Sequence, residues 1–327
     1  MFRVVCRIEI QQQGDGRADK FYFDAINKVT VTRSFDKQTQ TASVTLPRNF
    51  NYNKRNIYEG ENALMRRGDR IIITAAYQPN ETVIFTGYIS KINNNVPIEL
   101  LCEDEMFLIK QAIAPNLSYK SVNLRTFIAK MLSNTSTPFK AINAELGKVR
   151  MQGASIGKVL QVLRDDYGLY SFFKDGILRV GLPFYKDEAQ TAIFQFELMC
   201  KDGTTLTYLK KDDVKVQVKG VLIANNERTE YTYGDPTGDL RTEFQLGGTK
   251  ADLDLKCNSF LEQANYTGYY GAFKTFLEPL VVPGDYAILK SWKYPERDGK
   301  YLIKSVQTEL STSDGGKQVI ELERRIA

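Results

Sequence analysis

The sequence predicts a mainly β protein in which two similar barrels flank a small α/β insert. Three observations carry this reading. Tyr and Phe are plentiful, 18 of each, beside many Val, Ile and Thr, a mixture that favours strands. Apolar and polar residues alternate through the first hundred residues and again in the last third. A Gly-Asp turn followed by an apolar strand occurs twice, in "RGDRIIIT" (Arg67–Thr74) and "VPGDYAIL" (Val282–Leu289).

In chain order, Val4–Ile10, Ile26–Arg33 and Thr41–Leu46 alternate as strands of a sheet with one wet face. A long polar loop, Pro47–Arg67, precedes strands over Arg70–Tyr77, Thr82–Asn93 and Ile98–Cys102. From Asp104 the period changes. Asp104 caps a short helix through Lys110 that must end before Pro115. Ser121 or Asn123 opens a second helix with Leu124, Phe127, Ile128, Met131 and Leu132 on one face. Ser155 opens a third, and Gly168 sits where a left-handed C-cap belongs. "LYSFFKDGILRVG" then reads as a hairpin turning at Asp175-Gly176. Strands resume at Leu206–Leu209, Val214–Ala224, Thr229–Tyr233 and Arg241–Leu246. They are followed by a helix capped by Thr249, with Asp252 at the capping-box position. Tyr270–Phe276, Tyr286–Trp292, Lys300–Glu309 and Gln318–Glu323 close the chain as strands. The implied division is a barrel over 1–104, the insert over 105–195, and a second barrel with one helix over 196–327.

Bulk composition narrows function by exclusion. Lys+Arg total 44 against 39 Asp+Glu, a formal net charge of +5 and no concentrated basic stripe of the kind a dedicated nucleic-acid binder carries. There are no histidines, which removes His-dependent triads, His metal sites and imidazole acid–base catalysis. The four cysteines, Cys6, Cys102, Cys200 and Cys257, form no CxxC pair and read as buried free thiols. The start "MFRVVCRIEI" lacks a signal peptide, and no run approaches the ~18 apolar residues that span a bilayer. A soluble protein, assembled in the cytoplasm without stable membrane insertion, is the expectation.

The two Gly-Asp turns extend into a longer repeat. With Gly68-Asp69 over Gly284-Asp285, Ile72 falls on Ile288, Pro79 on Pro295 and Phe85 on Tyr301. After a six-residue insertion ("TSDGGK"), Ile98-Glu99-Leu100 falls on Ile320-Glu321-Leu322. In each turn the Asp is expected to bond to its own turn backbone while Gly supplies an unusual dihedral.

The ending "VVPGDYAILKSWKYPERDGKYLIKSVQTELSTSDGGKQVIELERR" resembles the end of bacteriophage tail baseplate hub proteins of the late control protein D type, related to the hub part of type VI secretion spikes. "GDRIIITAAYQPNETVIFTGYISKINNNVPIELLCED" resembles the first barrel of that family, and "ASIGKVLQVLRDDYGLYSFFKDGILRVG" its middle segment. The resemblance implies tail-tube-like barrels from an internal duplication. It also implies a homotrimer whose six barrels form a ring, adapting a hexameric tail tube to a threefold spike and leaving a lumen for DNA or effector passage. The implied partners are the tail tube protein, a separate spike protein (the sequence stops at Ala327, after the last barrel strand), a tape measure protein and other baseplate proteins, with DNA only in transit. The implied location is the virion tail or an injection particle.

No enzymatic site is predicted: no catalytic residue, cofactor or metal ligand. Glu103-Asp104-Glu105, Asp165-Asp166 and Asp212-Asp213 are adjacent acids whose side chains diverge. "DPTGD" (Asp235–Asp239) lacks the full spacing of a calcium loop. The aromatic run "NYTGYYGAFKTF" (Asn265–Phe276) suits core and subunit packing better than stacking on sugars or bases. Two other functions compete: a carbohydrate-binding or carbohydrate-cleaving β protein, and another tail adaptor such as a distal tail protein.

Overall fold

Side-chain alternation places the strands close to where the sequence predicts them. The computed structural model describes residues 4–14, 16–24, 26–46, 64–77, 80–93, 97–183, 189–201, 204–313 and 315–326. The first strands are β1 (Val4–Gln11), β2 (Lys20–Phe23), β3 (Lys28–Ser34), β4 (Thr41–Thr45), β5 (Arg70–Tyr77), β6 (Asn80–Asn93) and β7 (Glu99–Glu103). Their order is β3-β4-β7-β6-β5-β1-β2, antiparallel throughout. They wrap a core in which Ile8, Ile10, Val29, Val44, Ile71, Ile73 and Leu100 are all fully buried. Most of the polar loop and Pro79 lie outside the described residues.

The helical spacing that follows builds a separate core. It contains α1 (Met106–Ile109), β8 (Leu117–Tyr119), α2 (Leu124–Met131), β9 (Phe139–Ala141), β10 (Val149–Met151), α3 (Ile156–Tyr167), β11 (Tyr170–Lys174) and β12 (Ile177–Gly181). The Asn123 side chain accepts from Arg125 N, and that of Ser155 from Lys158 N, so both helices start on capped N–H groups. Gly168 ends α3 at φ 66°, and the hairpin turns at Asp175 (φ 53°) and Gly176 (φ 74°), both left-handed as a tight hairpin turn requires.

The remainder differs from the expectation of one barrel with one helix. β13 (Thr191–Gln195) and α4 (Phe196–Met199) lead to β14 (Thr207–Leu209). Then β15 (Val216–Ala224), β16 (Glu227–Gly234) and β17 (Asp239–Leu246) form their own three-stranded sheet, with α5 (Lys250–Ala264) across one face. Gly220 makes room for that helix: a Cβ there would lie 2.8 Å from Cys257 Sγ. Val216, Val218, Leu253 and Cys257 close a small core independent of the barrel. Thr249 and Asp252 form the predicted capping box. The barrel itself uses β13, β18 (Gly268–Tyr270), β19 (Ala272–Phe276), β20 (Tyr286–Lys290), β21 (Gly299–Ser311) and β22 (Gly315–Arg325). Four of these run β20-β21-β22-β19, with β13 parallel to β20 at the outer edge and β18 paired with β14. The predicted single strand over Tyr270–Phe276 breaks at Gly271 (φ 105°).

The three-stranded sheet docks on the insert through Phe244, whose ring fills the space over Gly168. A Cβ at Gly168 would lie 2.5 Å from the Phe244 ring, on a backbone already at positive φ. Gly168→Ala is therefore expected to cost about 1–3 kcal/mol. In a thermal-unfolding double-mutant cycle with Phe244→Ala, the double variant should lose less than the sum of the two single losses.

Candidate functional site at the barrel seam

The two Gly-Asp turns are built alike. Gly68 (φ 93°) and Gly284 (φ 95°) hold the same left-handed conformation. Gly68 N donates to Ile89 O (2.8 Å) while Ile89 N returns to Asp69 O (2.9 Å). Gly284 N donates to Ile303 O (2.9 Å) while Ile303 N returns to Asp285 O (2.9 Å). One Asp69 carboxylate oxygen accepts from Arg66 N (2.8 Å), and one Asp285 oxygen from Val282 N (3.0 Å). The other oxygen reaches the barrel-edge segment: Asp69 takes Gln13 N (3.0 Å), and Asp285 takes Gln190 N (2.9 Å). Gln13 follows β1 and Gln190 precedes β13, because β1 runs antiparallel to β5 whereas β13 runs parallel to β20.

These bonds also give the register of the repeat. Ile89 and Ile303 occupy equivalent places, and each is followed by a one-residue bulge, at Ser90 and at Lys304. Gly87 therefore corresponds to Tyr301, and Cys102 to Leu322, so the sequence alignment of Phe85 with Tyr301 and Leu100 with Leu322 is two residues out. The cause is a longer connection between β5 and β6; the six-residue insertion in the following turn stands.

Sequence reasoning missed the groups that fasten these turns. Arg17 clamps Asp69 through both terminal nitrogens (3.0 and 2.9 Å), with only 13% and 1% of the two side chains exposed. Buried Gln318 donates to Leu277 O (2.7 Å) and Pro279 O (2.9 Å), bracing the segment before the second turn. Neither has a local motif, since each acts across about forty residues or more of chain.

The seam between the barrels is a β ladder. β21 pairs with β20 near its start and with β3 from Ser305↔Ser34 to Ser311↔Lys28, while β22 runs along its other edge. One 12-stranded sheet thus passes through both barrels. Asp36, at the end of β3, ties in the insert: Arg164 of α3 reaches its carboxylate at 3.4 Å and Lys304 of β21 at 3.3 Å. In the first barrel the equivalent stretch of β6, beyond its last β5 partner Tyr88, has β7 on one side and no strand on the other among the described residues.

The acidic clusters separate. Glu103 pairs with Lys110, and Asp165 accepts from Gln161 at 2.8 Å. Asp166 lies 4.0 Å from Arg228. Asp235 closes its own turn by accepting from Thr237 N at 2.8 Å. Among the described residues no group of three His, Cys, Asp or Glu is placed to hold a metal. Burial pushes the thiols of Cys6 and Cys200 up to about 12 and that of Cys257 to about 11, leaving them protonated and unreactive. From the aromatic run, Tyr269 and Phe273 are core residues; Tyr269 N donates to the buried Tyr301 hydroxyl at 3.0 Å. Tyr270 and Phe276 stay exposed.

Asp104 is the exception among the acids. It is buried, accepts from Gln40 N (3.0 Å) and Met106 N (3.1 Å), and lines a cavity of about 610 Å³ where the first barrel, the β11–β12 hairpin and Val282–Pro283 meet. The cavity's charged residues balance: Arg33, Arg70 and Lys174 with Asp104, Glu105 and Asp175. Burial raises the Asp104 carboxyl to about 7, outweighing its two backbone donors.

The sequence matches no protein-family model and no curated protein. Solved structures match over nearly the whole chain. The tail protein from Neisseria meningitidis MC58 gives a TM-score of 0.64 at 13% identity, covering 99% of this chain and 97% of that one. The 43 kDa tail protein of prophage MuSo2 from Shewanella oneidensis gives 0.61 at 10%, covering 99% and 97%. An E. coli component of the type VI secretion system, itself similar to T4 tail proteins, gives 0.57 at 9%, covering 98% and 79%. The likeness is one of fold, and the mainly β fold is the one that the sequence predicts.

Asp69→Ala strands the Arg17 guanidinium and two backbone N–H groups, and is expected to cost about 3–5 kcal/mol. Asp285→Ala strands backbone donors alone and should cost about 1–3 kcal/mol in the same urea titration. For Asp104, the folded state binds its proton more tightly than the unfolded chain, so its penalty grows as pH rises from about 4 to about 7. The melting midpoint of Asp104→Asn minus that of the unchanged protein should rise between pH 5 and pH 8; a flat difference would remove the buried proton.

Proposed function

We propose that the chain is a structural, non-enzymatic component of a phage tail or related contractile injection apparatus, acting as its baseplate hub. Three copies close a ring of six barrels between a hexameric tail tube and a threefold spike. The tube and spike proteins are the direct partners, with tape measure and other baseplate proteins around them; assembly occurs in the bacterial cytoplasm before incorporation in the virion tail or injection particle. The whole-chain fold likeness to tail proteins supports this reading.

The observation that carries the ring is the seam. Within the chain, β21 of one barrel accepts β3 of the other along an edge that β20 leaves free. The matching edge of β6 stands open among the described residues, so the same kind of contact is available to a neighbouring copy. The units of the hub are then a first barrel ending near Asp104, an insert ending before β13, and a second barrel interrupted by the β15–β17 sheet and α5.

The polar face of the sheet beside the seam, from β19 and β22 through β21, β3, β4 and β7 to the end of β6, is assigned to the lumen. Thr30, Thr32, Ser43, Ser305 and Gln307 share it with Lys28, Lys91, Lys274 and Lys317 on one side of the charge balance and Glu99, Glu103, Glu309 and Glu321 on the other. Lys317 pairs with Glu309 at 3.0 Å. A balanced, hydroxyl-rich wall has no cationic band to hold a polyanion, since each phosphate–Lys/Arg contact adds affinity.

Negative-stain images of the purified protein, viewed down the symmetry axis, are expected to show a threefold ring with six similar lobes, and mass photometry the mass of a trimer. Monomers that stay monomeric with tube and spike proteins added would overturn the hub reading.

A further inference from the structure

The open edge of the second barrel differs in chemistry from its counterpart in the first. The outward face of β1 and β5 pairs Glu9 with Ile72 and Arg7 with Thr74. The corresponding face of β13 and β20 pairs Ile193 with Ile288, and Ile193 is 55% exposed. The apolar surface continues off the strand ends. Gln195 pairs with Lys290, and two residues further on Glu197 meets the turn that carries Trp292, so Leu198 and Trp292 extend the same end of the barrel. Leu198 is 66% and Trp292 58% exposed, and Tyr294 lies just beyond.

This ledge is held rigid. The Glu197 carboxylate accepts from Ser291 Oγ, Trp292 N and Lys293 N, and Asp298 accepts from Ser291 N at 2.8 Å. Although desolvation works the other way, hydrogen bonds from Ser291, Gln195 and Lys293 N hold Glu197 down at about 2. Glu296 is turned to Arg297 at 3.5 Å. The nearby acids are therefore engaged, whereas Lys290 and Lys293 flank the apolar residues with no carboxylate partner among the described residues. A fixed tryptophan between aliphatic side chains and two ammonium groups that no described carboxylate pairs has the form of a protein-docking hot spot. Ile193, Ile288 and Leu198 give the ledge an aliphatic majority beside Trp292 and Tyr294, which suits a large apolar side chain better than a row of stacked bases.

We propose that this ledge, centred on Trp292, docks a segment of a partner protein that sets acidic residues beside a large apolar side chain. The apolar side chain covers Trp292, Leu198 and Ile193; the acidic residues meet Lys290 and Lys293. The docking requires only the folded chain, so it stands or falls separately from ring formation.

Trp292 is the sole tryptophan of the chain, so its emission reports on this surface alone. The probe is a short fluorescein-labelled peptide in which Asp and Glu flank a Leu-Phe pair, compared with a Lys/Arg-flanked version and with labelled oligothymidylate. The acidic peptide is expected to gain anisotropy and move Trp292 emission to shorter wavelength. The double variant Lys290→Glu/Lys293→Glu, with unchanged thermal midpoint, should weaken binding by about tenfold or more. Trp292→Ala should abolish the anisotropy gain. Equal binding of both peptides, preference for the oligonucleotide, or unchanged Trp292 emission would overturn the proposal. So would an emission shift that follows protein concentration without peptide, which would make a second copy the occupant.

Discussion

The ladder between β3 and β21 is the contact on which the architecture depends. Seven residue pairs, from Ser305↔Ser34 to Ser311↔Lys28, join strands nearly three hundred residues apart in sequence. Each hydrogen bond contributes modestly in net terms. The ladder matters because it carries side chains with it: Leu310, from the last hairpin, is buried in the first barrel's core beside Val29 and Val44. The two barrels therefore share hydrophobic core as well as backbone. Asp36 extends the junction to the insert, which places all three large units around one strand end.

Around that seam the chain uses one turn design twice and varies its fastening. In both copies glycine takes the left-handed conformation and aspartate satisfies N–H groups that the sharp reversal strips from the ladder. The first copy adds Arg17, a buried charge for a buried charge. The second relies on backbone donors and on Gln318 bracing the preceding segment. The direction of the flanking strand differs as well, antiparallel for β1 and parallel for β13, yet a backbone N–H still arrives at the same carboxylate oxygen. The constraint retained is the satisfied aspartate, and strand direction has proved dispensable.

What was legible in the sequence is what local chemistry fixes. Ser155 with Gly168, Asp175 with Gly176, and Thr249 with Asp252 each decide their own dihedrals or orphan N–H groups within a few residues, and each stands where it was read. The mainly β class, the repeat order and the Gly-Asp pairs rest on patterns of the same range. Less legible was anything decided by distant partners. β13 shows weak alternation because its outward side carries the exposed Ile193, and it becomes a strand through β20. The β15–β17 strands read like barrel strands, since alternation cannot tell whether a sheet's buried face meets another strand or α5. The repeat register slipped by two because Ile-Glu-Leu recurs in both last strands, whereas bulge and turn bonds put Leu100 opposite Ile320 in the repeat. Trp292 gave no sign in sequence of being held out by Glu197, ninety-five residues earlier.

The proposed lumen wall and the proposed docking ledge make opposite demands on the fold. A wall past which a polyanion slides must present many weak, mutually cancelling groups. The shared sheet achieves this by pairing Lys317 with Glu309, and Lys304 with Asp36 and Glu321, so that individual charges are spent inside the protein. A docking ledge must do the reverse and leave its strongest groups unspent, which happens beside Trp292 because Glu197 and Asp298 are consumed by backbone N–H groups while Lys290 and Lys293 are not. Both arrangements follow from one choice, namely whether a carboxylate answers a lysine or a backbone donor. On the sheet's polar face, opposite charges come within reach across neighbouring strands and meet. At the strand ends, the turn's orphan N–H groups claim the carboxylates first. The chemistry of each surface is thus set by its place on the strands, with the proposed docking at the strand ends and the proposed passage along the middle.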